Sequence, residues 1–214
     1  MRLKGVAFDL DGVLTDTARA HYRAWKRLAD TLGIPFDEHA NEALKGVDRM
    51  GSLALILGDR PGFDAAARAG LAARKNAWYL EEIAHFGPED LFPGARAALD
   101  QCRAAGLKLA LASASRNAPL LLARMQVDTL FDAVIDPASV AAGKPAPDIF
   151  FAAARAIGAE PAQVLGVEDA AAGIKAIRAA GMPALGVGDA AALPGADWVI
   201  PSIADFDLAD YRTG

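Results

Sequence analysis

From about residue 88 onward, short apolar runs and helical stretches alternate so regularly that few folds can accept the chain. Pro93 opens a helical stretch over Ala95–Ala105 that Gly106 ends, and Leu107–Ala112 then reads as a strand. Further helices are expected over Asn117–Met125, Asp148–Ile157 and Ala170–Ala180. Further strands are expected over Ala133–Ile135, Gln163–Val167, Ala184–Val187 and Trp198–Ile200. Leu3–Phe8 adds one more at the start. Strands separated by helices of this length build a parallel sheet with helices on both faces, an α/β, Rossmann-like core.

Between the first strand and that rhythm, no segment reads convincingly as a strand. Ala18, Tyr22, Trp25, Leu28, Ala29 and Leu32 share one helical face, and Gly33 closes it. Asp37–Leu44, Met50–Leu57 and Asp64–Phe86 are further helical candidates. The core is therefore expected in residues 1–15 and 89–214, interrupted by an all-helical insert at 16–88. Helical spacing assigns Trp25 and Trp78 to the core of that insert.

Composition narrows the function classes. The chain carries 22 Lys and Arg against 27 Asp and Glu, a formal charge of −5, which argues against nucleic acid or an anionic membrane as partner. Small phosphorylated substrates stay open, because they need only a local pocket of positive groups and amides. One cysteine, Cys102, excludes an internal disulfide and is expected to be a packed thiol; with three His it also excludes Cys/His metal clusters. No run approaches the roughly 20 apolar residues of a membrane span. Asp9 and Asp11 arrive before any apolar run long enough for a signal sequence, so a cytoplasmic protein is expected, with a monomer as the default.

Ligands of an open parallel sheet bind beyond the carboxyl ends of its strands. Four strand ends here stop in polar residues: Asp9/Asp11, Ser113–Ser115, Lys144 and Glu168/Asp169. Each has a bland alternative. Asp9-Leu10-Asp11-Gly12 also suits a turn, Asp169 a helix N-cap, Ser113–Ser115 a cap for the helix that follows, and Lys144 a solvated loop. The functional reading joins them: Asp9 and Glu168/Asp169 form a hard oxygen site suited to Mg²⁺, while Ser113, the helix amides and Lys144 receive a phosphate.

In this order and placement, DLDG (9–12), SAS (113–115), GKPAPDIF (143–150) and GVEDAAAGI (166–174) resemble the haloacid dehalogenase superfamily of phosphotransferases, whose helical cap sits where the insert is found. The similarity narrows, through DLDGVLTDTARAHYRAWKRLA, NEALKGVDRMGSL and ARKNAWYL, to its sugar-phosphate mutases; Asp48, Met50 and Gly51 around Arg49 are less polar than that pattern. The resemblance implies that Asp9 becomes an aspartyl-phosphate and Asp11 acts as general acid and base. It implies a Mg²⁺ held by Asp9, the Asp11 carbonyl, Asp169 and Glu168, and a phosphate cradle of Ser113 and Lys144. A second phosphate would meet Arg49. Thr17, His21, Lys45, Gly46, Ser52, Lys75, Ser115 and Asn117 would line the sugar pocket or the hinge. Bland alternatives persist here too: a partly exposed His21, and Arg49 and Lys75 on solvated surface.

The implied reaction is conversion of β-glucose 1-phosphate to glucose 6-phosphate through the 1,6-bisphosphate. A Mg²⁺-dependent sugar-phosphate phosphatase of the same superfamily is the near rival. A non-enzymatic phosphate-binding module is the distant one.

Overall fold

The computed structural model describes residues 3–44 and 46–211. Strands β1 (Gly5–Phe8), β2 (Lys108–Leu111), β3 (Ala133–Val134), β4 (Val164–Glu168), β5 (Ala184–Val187) and β6 (Trp198–Ile200) form one sheet in the order β3-β2-β1-β4-β5-β6. Every pairing is parallel. β1 lies centrally, with Phe8 opposite Leu111 on one side and Val167 on the other.

Residue size alternates along these strands and decides what covers each face. Val6, Phe8, Leu109, Leu111, Leu165 and Val167 enter one apolar cluster with Leu99 and Cys102 of α5 (Ala95–Ala104) and Leu121 and Leu122 of α6 (Ala118–Arg124). Ala7, Ala110 and Ala184 enter the opposite cluster, against α7 (Asp148–Ala156) and α8 (Ala171–Ala179). Small residues let those helices approach the sheet closely. A Cβ on Gly166 would stand 2.6–2.7 Å from three carbons of Ile177. Cys102 is buried and unpaired, as expected, and burial pushes its thiol up to about 12.

The insert supplies α1 (Ala18–Thr31), α2 (Glu38–Glu42), α3 (Arg49–Leu57) and α4 (Ala65–Glu82). Trp25, Leu28, Phe36, Leu53, Leu57 and Ala72 build a third cluster of its own. The buried stripe of α1 is wider than the sequence reading had it: Trp25, Leu28 and Ala29 are buried as expected, with Tyr22 and Leu32 half-buried against them, but Ala20 and Ala24 are buried too and Ala18 is exposed. The reason is a second contact, since Ala20 and Ala24 join Tyr79 and Ile83 in the main cluster of the sheet. Asp37 and Asp64 cap α2 and α4. Asp48 caps α3 by accepting from the amides of Met50 (2.8 Å) and Gly51 (3.1 Å), which gives the less polar sequence around Arg49 a local job.

Two crossings join insert to sheet, and they are stitched together. Phe92 N–H donates to Leu14 O (2.9 Å), and the Thr15 hydroxyl donates to Asp90 O (2.6 Å). Among the described residues, no helix is long and apolar enough to cross a membrane.

Candidate active site

Strand register sets the acids side by side. The Asp9 amide donates to Val167 O at 2.9 Å, so the β1–β4 pairing runs one residue past β1 and brings Asp9 alongside Glu168. One carboxylate oxygen from each of Asp9, Glu168 and Asp169 falls within 4.8 Å of the others. Glycines make room for them. Gly12 has φ +81°, and a Cβ there would meet Asp169 Oδ2 at 2.0 Å; a Cβ on Gly173 would meet the Glu168 carboxylate at 1.9 Å.

Lys144 is buried rather than solvated. Its Nζ lies 2.5 Å from Glu168 Oε1 and 3.1 Å from Asp9 Oδ1. Burial alone would lower its pKa, but Asp9 and Glu168 hold it above the usual lysine range. Glu168 Oε2 accepts from the amide of Ala170 at 2.8 Å. Asp169 does not take the helix-start role expected of it: α8 begins one residue later, Ala170 is its N-cap, and no side chain caps it.

Burial, only partly offset by Lys144, raises Asp9 to about 7, with Glu168 and Asp11 adding repulsion. Burial and the neighbouring Glu168 and Asp9 raise Asp169 to about 8. Asp9 Oδ1 is buried, and the Lys144 ammonium at 3.1 Å is its polar neighbour. Converging carboxylates that resist ionisation, in a cradle that a Cβ on Gly12 or Gly173 would fill, are the donor chemistry of a hard divalent cation. These residues fit one. Asp11 is engaged differently: its Oδ1 accepts a hydrogen bond from the Thr17 hydroxyl, and burial raises its pKa while that bond opposes the shift.

A cavity of about 360 Å³ opens over the acids, within the size range of small-molecule sites. From the sheet side Asp9, Asp11, Asp169, Ser115 and Asn117 wall it; from the insert side Thr17, His21, Gly46, Arg49, Ser52 and Lys75 do. Ser113, Lys144 and Glu168 are buried and do not line it. The Ser113 hydroxyl accepts from Ser115 N–H (3.1 Å), and the Ser115 hydroxyl from Asn117 N–H (3.3 Å), so the SAS loop braces itself where it leads into α6. Ser52 Oγ donates to Val47 O (3.3 Å). Lys45 lies outside the described residues.

Lys75 is not solvated helix surface. It is 2% exposed, its Nζ lies 2.9 Å from His21 Nδ1, and it faces the rings of Trp25 and Tyr79 at 4.6 and 4.7 Å. Burial and the charge of Arg49 bring it down to about 7. His21 is held well below the usual histidine value by burial and by Lys75. Burial and the nearby Arg116 also lower Arg49.

The sequence reading missed several residues in and beside the cavity, Asp16, Asn41 and Phe92 of its lining among them. Trp25, expected as core alone, also walls the cavity, as does Arg116, which stands between Ser115 and Asn117. Asn76 bonds both Arg49 and Asn117. Arg116 was findable as a cation within a strand-end loop. Asn76 carried no signal beyond adjacency to Lys75.

The chain belongs to the haloacid dehalogenase-like hydrolases, whose family model matches residues 3–181. Within them it is 46% identical over 209 residues to the β-phosphoglucomutase of Bacillus subtilis, covering 96% of this chain and 92% of that one. The crystal structure of β-phosphoglucomutase from Clostridium difficile superposes with a TM-score of 0.96 at 36% identity, covering 98% of this chain and 96% of the other. The fructose-1-phosphate phosphatase YqaB of Escherichia coli is 32% identical, over 87% of this chain and 97% of its own.

Proposed function

We propose that this chain is a phosphoglucomutase that interconverts β-D-glucose 1-phosphate and glucose 6-phosphate through β-glucose 1,6-bisphosphate. The observation that carries the reading is a single cavity walled by Asp9 on one side and Arg49 on the other. A bisphosphate needs a reacting end and a holding end, and a guanidinium fork suits the second.

Asp9, Asp169, the main-chain carbonyl of Asp11 and Glu168 would hold Mg²⁺, which would supply positive charge to offset the repulsion between nucleophile and phosphoryl group. A carboxylate oxygen of Asp9 attacks phosphorus in line, forming the Asp9–phosphoryl bond as the bond to the sugar oxygen breaks. Asp11 protonates the departing oxygen. In the reverse sense it takes the proton of the attacking sugar hydroxyl. Thr17, bonded to Asp11, orients it for both steps. Lys144 and Ser113, behind Asp9, support the phosphoryl group electrostatically. Thr17, His21, Lys45, Gly46, Ser52, Lys75, Ser115 and Asn117 contact or orient the sugar phosphate. Residues 16–88 act as a cap over the core of 1–15 and 89–214, excluding water from the aspartyl-phosphate.

A sugar-phosphate phosphatase shares this core, and the likeness to the fructose-1-phosphate phosphatase favours it as the second reading. One assay separates the two. The protein is incubated with Mg²⁺, β-glucose 1-phosphate and a trace of the 1,6-bisphosphate, and glucose 6-phosphate and inorganic phosphate are followed together. Glucose 6-phosphate outrunning phosphate, and lost in Asp9→Asn, is the expected result. Phosphate release dominating would overturn the mutase reading.

A further inference from the structure

Asn76 sits on α4 one residue past the buried Lys75. Its side-chain oxygen, Oδ1, accepts from Arg49 Nη2 at 2.7 Å and from Asn117 Nδ2 at 2.9 Å. Arg49 is the first residue of α3, and Asn117 precedes α6, so the two donors come from opposite walls of the cavity. An amide oxygen has two acceptor positions, and both are used. Arg49 has no acceptor of its own, so the oxygen, not the nitrogen, of Asn76 must face it.

We propose that Asn76 is a positioning residue whose Oδ1 stands in for a phosphate oxygen. It gathers the Arg49 and Asn117 donors in the free protein and yields them to the phosphate remote from Asp9 when substrate arrives. The inference rests on the mutase reading, because only a bisphosphate intermediate requires that second phosphate to be held. A neutral amide suits the task physically. It aligns the guanidinium, yet its bond to Arg49 is charged on the donor side alone and is weaker than the bonds a phosphate makes, where both partners are charged, so the exchange runs toward the ligand. A carboxylate in its place would form a charge-assisted pair and hold on. The second joint between the same helices lies seven residues further along each: Arg124 of α6 donates to Ile83 O just past α4. That joint carries no cavity residue and can persist while the Asn76 end opens.

The test compares wild type, Asn76→Leu and Asn76→Asp in the coupled mutase assay, with melting temperature measured alongside. Asn76→Leu is expected to raise KM for β-glucose 1-phosphate about five- to tenfold, the net worth of about one hydrogen bond, with a smaller change in kcat. Asn76→Asp keeps an acceptor for both donors, so a merely structural role predicts rescue. The exchange instead predicts a KM above that of Asn76→Leu, in a protein melting at or above the wild-type temperature. A KM for Asn76→Asp at or below that of Asn76→Leu, or KM within twofold of wild type in both variants, would overturn the proposal while wild-type mutase activity stands. If wild type itself releases phosphate and makes no glucose 6-phosphate, the mutase reading falls, and this inference with it.

Discussion

Asp9 and Asp11 stand two residues apart and are handled oppositely. Asp9 faces a buried ammonium and two further carboxylates; Asp11 is tied to a hydroxyl on the insert side of the cavity. The first suits a nucleophile that must stay ionised beside a metal, and the second a group that exchanges protons. Asp11→Asn keeps an oxygen for Thr17 but cannot donate or take the proton. Its turnover is expected to fall about 10²–10⁴-fold in the mutase assay. Phosphorylation of Asp9 by a donor with a good leaving group, such as acetyl phosphate, should fall far less. An equal loss with both donors would remove Asp11 from proton transfer. The acids were legible in the sequence because each interrupts an apolar run, which a strand does only at its end. Asn76 was not legible, since its meaning lies in Arg49, 27 residues away, and Asn117, 41 residues away.

At the level of elements, the large/small alternation along β1 and β2 places α7 and α8 close to the sheet, and the glycines mark where that closeness is greatest. Gly166→Ala would drive a methyl into Ile177 and push α8 off β4, at a cost of about 1–3 kcal/mol. Urea denaturation should register that loss, and Ile177→Ala introduced alongside should be less harmful than it is alone. Additive effects would mean that the two residues do not share the space. Strands and helices were read from apolar periodicity to within a few residues. The buried stripe of α1 was read too narrowly because periodicity reports one buried face, whereas Ala20 and Ala24 find a second partner in Tyr79 and Ile83. The solvated alternatives for Lys75 and Lys144 illustrate the same gap: a lysine's burial is set by what folds over it, and sequence spacing is silent on that.

Across the whole molecule, clustered acids make stability depend on pH. Asp9 and Asp169 have folded-state values near 7 and 8 against 3.8 for the unfolded chain, so the native state binds more protons between those limits. Metal-free stability must therefore fall as pH rises from about 4 to 7. His21, held neutral when folded, opposes the trend below 6.5, and Lys75, brought down to about 7, opposes it above 7. Two acids outweigh one histidine, so the melting temperature without metal should be higher at pH 5 than at pH 7. Mg²⁺ should flatten that slope by relieving the repulsion, and an unchanged slope would mean that the acids do not hold the ion. The stitched crossings at Leu14–Thr15 and Asp90–Phe92 bear on how such a chain diversifies. The insert leaves the sheet and returns to it at one spot, so its helices can be exchanged wholesale, like a cassette, without re-routing a strand. On the function proposed above, one phosphoryl-transfer engine can in this way be kept intact while the piece that meets the sugar is renewed.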